Sequence, residues 1–213
     1  MSTPVLDPPA AEQVHDGGSG GLPPRPDGGG GDDASREAGD TRRFGLWLFL
    51  GSLTMLFVGF TSAYVVRRAS ADWAPLPTPG ILWVNGGLLL ASTAALEIAR
   101  RRLAGWDLGG TRAWLALTGA LGALFLGGQW MAWRALSRLG VYLASNPHSS
   151  FFYVLSGLHA LHLVGGLVWF AVVMWRVSRL AYTPGTNALG LFATYWHFLT
   201  ALWVYLFALL FLA

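Results

Sequence analysis

Three histidines are the residues in this chain best suited to chemistry. His159 and His162 are three positions apart, and His197 follows in the last apolar stretch. At helical spacing the first two share one face. Imidazole serves as a haem or metal ligand and as a proton carrier. Asn85 and Gln129 add two carboxamides in equally apolar surroundings, where polar side chains are costly and mark functional candidates. A shared iron fails on depth. At 1.5 Å per residue, His162 stands roughly 21 Å from the helix end at Arg176, and His197 only about 14 Å from Ala188 on the same side. Two axial ligands do not easily close that mismatch of roughly 7 Å, and His159 is farther still. No carboxylate or thiolate is placed to complete a site on His159 and His162. A proton relay of the kind built from Asp, Glu and His lacks any mid-membrane carboxylate. Hydrogen bonding between helices is the reading these residues support.

The elements that position them follow from composition. Of 213 residues, 54% are hydrophobic and 12% charged, against about 25% charged in ordinary soluble domains. There are 11 Trp, 12 Phe and 6 Tyr, and no Cys. That excludes disulfides, thiolate zinc sites, iron–sulfur clusters and a cysteine nucleophile. All fourteen basic residues are Arg. Residues 1–43 carry eight acids against four Arg, a balance of −4, and residues 44–213 carry three acids against ten Arg, a balance of +7. The net +3 is therefore a set of membrane-flanking Arg beside an acidic tail, not a nucleic-acid footprint. The sequence excludes a soluble globular protein.

Residues 1–43, rich in Gly, Pro and Asp, cannot bury enough apolar surface to offset ordering entropy and are expected to be a disordered tail without a signal peptide. Beyond them, Arg residues punctuate five apolar blocks at 44–66, 80–99, 113–133, 151–175 and 188–213. About 20 helical residues cross a bilayer, and lipid tolerates no unpaired backbone groups. The expected fold is all-α, a polytopic membrane bundle of five transmembrane helices. Eight Arg flank the membrane on the N-terminal side, among them Arg42, Arg43, Arg100–Arg102, Arg112, Arg176 and Arg179. Four (Arg67, Arg68, Arg134 and Arg138) lie opposite. The positive-inside rule then puts the N-terminus in the cytoplasm and the C-terminus outside. Trp73, Trp83, Trp106, Trp133 and Trp175 near helix ends suit an interfacial belt. Stripes of small residues, Gly87–Ala91–Ala95–Ala99 and Ala123–Gly127, predict close helix approach.

An ordered set of motifs then carries a resemblance. Ser145-Asn146-Pro147-His148-Ser149-Ser150-Phe151-Phe152-Tyr153 leads into Ser156-Gly157-Leu158-His159-Ala160-Leu161-His162 and Gly165. Tyr195-Trp196-His197-Phe198 is followed by Trp203 and Phe207. Weaker matches run through Leu46–Leu50, Leu82-Trp83-Val84-Asn85 and Leu121-Gly122 with Gln129. Together they resemble subunit III of the haem–copper oxidases (cytochrome c and quinol oxidases) in its five-helix bacterial form, over residues 44–213.

The resemblance implies a non-catalytic subunit in the bacterial inner membrane, with no cofactor of its own. Haem and copper would sit in partner subunits I and II. The chain would pack on subunit I, with a small subunit IV as a further neighbour, hold phospholipid, and support assembly, stability and proton uptake in aerobic electron transport. His159, His162, His197, Trp196, Tyr153, Asn85 and Gln129 are then the polar residues expected to make interhelical or lipid contacts. Arg67, Arg68 and Arg134 are candidates for lipid headgroups. At three positions where the family often carries carboxylates this chain has Leu53, Ala132 and Thr200, which weakens any carboxylate-dependent role. The alternatives are a nitric oxide reductase accessory subunit of the same family, a b-type haem protein, and a small transporter. The last lacks a visible inverted repeat.

Overall fold

A computed structural model describes the backbone of residues 30–76, 80–178 and 188–212. Its helices are α1 (Gly30–Arg68), α2 (Ile81–Ala104), α3 (Leu108–Arg138), α4 (Pro147–Ser178) and α5 (Ala188–Phe211). All five are long and apolar enough to cross a membrane, and no strand occurs among the described residues. The five-helix, all-α expectation holds. Residues 1–29 of the expected tail, Arg179 and Ala213 lie outside the described residues.

The helices are longer than the apolar blocks. α1 begins at Gly30, so residues 30–43, expected to be disordered, are helical. Once the apolar span has formed a helix, each added residue costs only propagation and no new nucleus. No proline lies between Pro26 and Pro75 to interrupt it. α2 and α3 overrun their blocks in the same way, carrying Arg101 and Arg102, and Arg138, in their last turns. Cations there face the partial negative charge of the helix C-terminus.

Local chemistry sets several boundaries. Between α2 and α3 the chain turns in three residues, with Trp106 at φ 60°, a backbone region uncommon for bulky side chains. The Asp107 carboxylate then caps α3, accepting the Gly110 N–H at 2.8 Å and an Arg102 N–H at 2.9 Å. Those bonds, Gly110 first, hold its carboxyl below the usual carboxylate range. At the start of α4, Asn146 Oδ1 accepts the Ser149 N–H at 2.9 Å while Ser149 Oγ accepts the Asn146 N–H at 3.1 Å, a reciprocal cap.

α2 and α3 form the most extensive pair. α4 packs on α3 and α5, α2 also meets α5, and α1 lies outside this group against α4 and α5. The inner stripe of α1 is Leu50, Leu53, Phe57 and Tyr64, while Trp47, Leu48, Met55, Val58, Val65 and Val66 remain exposed.

The small-residue stripes are only partly where the spacing put them. Ala95 and Ala99 are buried, but Gly87, Ala91, Ala123 and Gly127 face outward. Close approach occurs instead at Gly119 beneath Phe170, Gly122 beneath Trp196, Gly128 beneath Asn85 and Gly166 beneath Tyr195. A four-residue spacing marks a stripe without saying which stripe turns inward. Helix pairing decides that.

Candidate functional site

Polar side chains meet inside the bundle in several places. In the first, Trp196 of α5 is fully buried, and its indole N–H donates to Ser92 Oγ of α2 at 3.0 Å. Ser92 in turn donates to the Thr118 carbonyl of α3 at 3.1 Å. Three helices are thus joined by two consecutive bonds. One turn along α5, Thr200 donates to the Trp196 carbonyl at 3.0 Å and lies 2.7 Å from the Thr93 hydroxyl of α2. A neutral hydroxyl pair stands at one of the positions where the resemblance led to the expectation of a carboxylate. Leu53 and Ala132, at the other two, are buried among apolar side chains.

The second group lies around His162, and His197 makes a bond of the same kind on α5. His162 Nδ1 bonds the Leu158 carbonyl at 2.7 Å, and His197 Nδ1 bonds the Ala193 carbonyl. These bonds stay within each histidine's own helix. The crossing contacts are made by other atoms. Tyr195 donates its hydroxyl to the His162 carbonyl at 2.8 Å, and the His162 ring packs against Phe49 and Phe57 of α1.

The third group is Asn85 of α2, Gln129 of α3, His159 of α4 and Trp203 of α5, each at most 3% exposed. None of their side-chain nitrogens and oxygens has a hydrogen-bond partner among the described residues. Tyr153, by contrast, is tied to the α3–α4 connection, donating to the Val141 carbonyl at 2.9 Å.

Sequence reading did not single out His148. It is 6% exposed and stacks on Trp73 with ring centroids 4.8 Å apart and planes 13° apart. The Leu76 N–H donates to its Nδ1 at 3.2 Å. Because Nδ1 accepts, the proton is on Nε2, which donates to the Leu210 carbonyl at 3.0 Å. One imidazole therefore ties the α1–α2 connection, the start of α4 and the end of α5. The available signal was its place inside the Ser145–Tyr153 motif; its two backbone partners are remote in sequence.

The Arg candidates lie at this same end of the bundle. Arg67 pairs with Asp72 at 2.8 Å, both exposed. It lines an open cavity of about 840 Å³ with Ser62, Asn146, Ser150 and Phe151. Arg134 lines a second, of about 470 Å³, with Trp130, Trp133 and Tyr153. Arg68 is exposed. Among the described residues no three of His, Asp and Glu are grouped so as to hold a metal ion.

Five helices long and apolar enough to cross a bilayer, with polar side chains among their buried residues, define a multi-pass membrane protein. The family model for cytochrome c oxidase subunit III matches residues 34–213. The chain is 33% identical over 180 residues to cytochrome c oxidase subunit 3 of Synechocystis sp., covering 81% of this chain and 76% of that protein. It is also 33% identical to that of Thermostichus vulcanus, covering 84% and 91%. With that of Bacillus subtilis it shares 29% identity, covering 82% and 87%. The chain belongs to the cytochrome c oxidase subunit III family. It is a subunit III of a terminal oxidase, placed in respiratory electron transport and associated with other oxidase subunits, and the nitric oxide reductase alternative is not favoured.

Proposed function

We propose that this chain is the non-catalytic, phospholipid-holding flank of its oxidase. It packs on the haem-bearing subunit I, with subunit II and a small subunit IV as further neighbours, and supports assembly, durability and proton uptake. The observation that carries this reading is the face of α1. The helix meets its own bundle through the narrow stripe of Leu50, Leu53, Phe57 and Tyr64, leaving large apolar side chains such as Trp47, Met55 and Val66 outward. Lipid tails or another subunit's helices suit such a surface.

Headgroup binding at Arg67, Arg68 and Arg134 deepens this reading. Arg67 spends one N–H on Asp72, and a guanidinium has five donors. The cavities beside Arg67 and Arg134 combine hydroxyl or aromatic rims with apolar walls, which suits a phosphate above acyl chains. Trp196 and Tyr153 then help hold the bundle in register through Ser92 and Val141, and His162 does so through its ring contacts with α1. Asn85, Gln129 and His159 are buried interhelical candidates, while the His197 side chain bonds within its own helix. The excess of Arg on the N-terminal side supports a cytoplasmic N-terminus and an external C-terminus in the bacterial inner membrane.

Purification of the tagged chain in mild detergent, with haem, copper and phospholipid-phosphate assays, tests this. Haem, copper and phosphate should co-purify in fixed ratio, and a haem-free, copper-free, lipid-free isolate would overturn it. Replacing Arg67 and Arg134 together with Gln should lower bound phosphate while leaving haem content unchanged.

A further inference from the structure

The carboxamides, imidazole and indole of the third polar group are the least explained chemistry in the bundle. Asn85, Gln129, His159 and Trp203 come from four different helices and are 1%, 1%, 0% and 3% exposed. They also form one neighbourhood. The Asn85 amide lies against Gly128, the residue beside Gln129. A Cβ on Gly86, beside Asn85, would stand 3.7 Å from the Trp203 Nε1. The His159 and Trp203 rings are 5.2 Å apart at 33°. Phe125, one turn from Gln129 on α3, meets His159 edge-on at 5.8 Å and Trp203 edge-on at 4.9 Å.

Among the described residues, neither turning the amides over nor changing the histidine tautomer satisfies these groups. Both the oxygen and the nitrogen of each carboxamide lack a partner, so turning an amide over exchanges one unpaired atom for another. Both His159 nitrogens lack one too, so neither tautomer helps. Other deeply buried polar side chains do find partners: Ser92, Thr118, Ser149, Ser156, His148 and Thr200 are all bonded. Polar atoms separated by more than hydrogen-bond reach are commonly joined through water, and a buried water typically makes about three such bonds.

We infer that Asn85, Gln129, His159 and Trp203 form an internal water-binding site that joins α2, α3, α4 and α5. Its ligand class is narrow. The site offers amide oxygens and an imidazole nitrogen as acceptors, amide and indole N–H groups as donors, and no formal charge of its own beyond the titratable ring. Water, both donor and acceptor, fits that mixture, whereas an ion would lack a counter-charge. The site is separate from the outward-facing lipid surfaces, and its presence does not depend on them.

X-ray hydroxyl-radical footprinting of the intact oxidase complex in H₂¹⁸O tests this, because bound water generates radicals beside otherwise buried side chains. Trp196 is the internal control, fully buried with its N–H already bonded to Ser92. Trp203 should be oxidised at least tenfold faster than Trp196, with ¹⁸O in the product. Equal protection of the two indoles would overturn the site. In an Asn85→Leu, Gln129→Leu chain, Trp203 labelling should fall to the Trp196 level; labelling that persists there would remove these two residues and overturn the four-residue assignment. Should that variant fail to assemble, the comparison of Trp203 with Trp196 in the unaltered complex decides alone.

Discussion

Trp196 of α5 donates its indole N–H to Ser92 of α2 across 104 residues of sequence, at 3.0 Å. The bond is buried, and Ser92 passes it on to the Thr118 carbonyl of α3. Ser92→Ala leaves the indole N–H without an acceptor in an apolar interior. That costs roughly 1–3 kcal/mol, read as a lower unfolding midpoint of the detergent-solubilised protein. Trp196→Phe in the Ser92→Ala background should add less than it does alone, since the two residues share one interaction.

Gly122 lies beneath the same indole. A Cβ there would stand 2.9 Å from Trp196 Cη2, and the ring is held by its bond to Ser92. Gly122→Ala should therefore destabilise by about 1–3 kcal/mol, as overpacking does. Gly127, which the spacing had put at a helix contact, has nothing within 4 Å of an added Cβ. Gly127→Ala is expected to be neutral or slightly stabilising, as Ala is the better helix former by up to about 1 kcal/mol. Thermal unfolding of the two variants side by side checks both.

His148→Phe keeps a ring to stack on Trp73 but leaves the Leu76 N–H and the Leu210 carbonyl unpaired. The expected loss is about 2 kcal/mol or more, accompanied by faster proteolysis at the C-terminal end of α5. His148→Gln, which retains a donor and an acceptor, should recover part of it. Equal stability of the Phe variant and the unaltered protein would argue against the tie.

Asp107 gives a pH dependence of defined sign. Its folded-state pKa is depressed by the Gly110 N–H and by Arg102. The cap therefore contributes fully above the unfolded carboxylate value of about 3.9 and is lost as pH falls through the lower, folded value. The stability difference between the unaltered protein and Asp107→Asn should stay constant from neutral pH down to about 4 and shrink below it. Asp107→Asn, which can still cap, should be less stable at neutral pH, through loss of the Arg102 pair, and should lack that acidic component.

Span number and order were legible in the sequence, because hydropathy and charge are local sums. Five apolar blocks bounded by Arg give five helices whatever their partners. The helix ends were less legible: residues 30–43 lack the apolar content of a span, yet they continue a helix that the span has already nucleated. The motif residues Asn85, Gln129, His159 and Trp196 were recognisable as interior from their polarity, although nothing local showed that Trp196 meets Ser92 while the other three find no partner among the described residues.

Which face of each helix turns inward was decided only by the tertiary structure. A helix in lipid has apolar surroundings on every side, so the alternation that separates core from surface in water is weak. Gly122 and Gly127 look alike in sequence, yet one bears the Trp196 ring and the other faces outward. His148 shows the same limit, because its role comes from Leu76 and Leu210, which only packing brings to it. Composition, and the Arg that punctuate its apolar blocks, made this chain a five-span membrane protein. The pairing of its helices determined which polar groups meet, since hydrogen bonds require contact and contact is settled between helices.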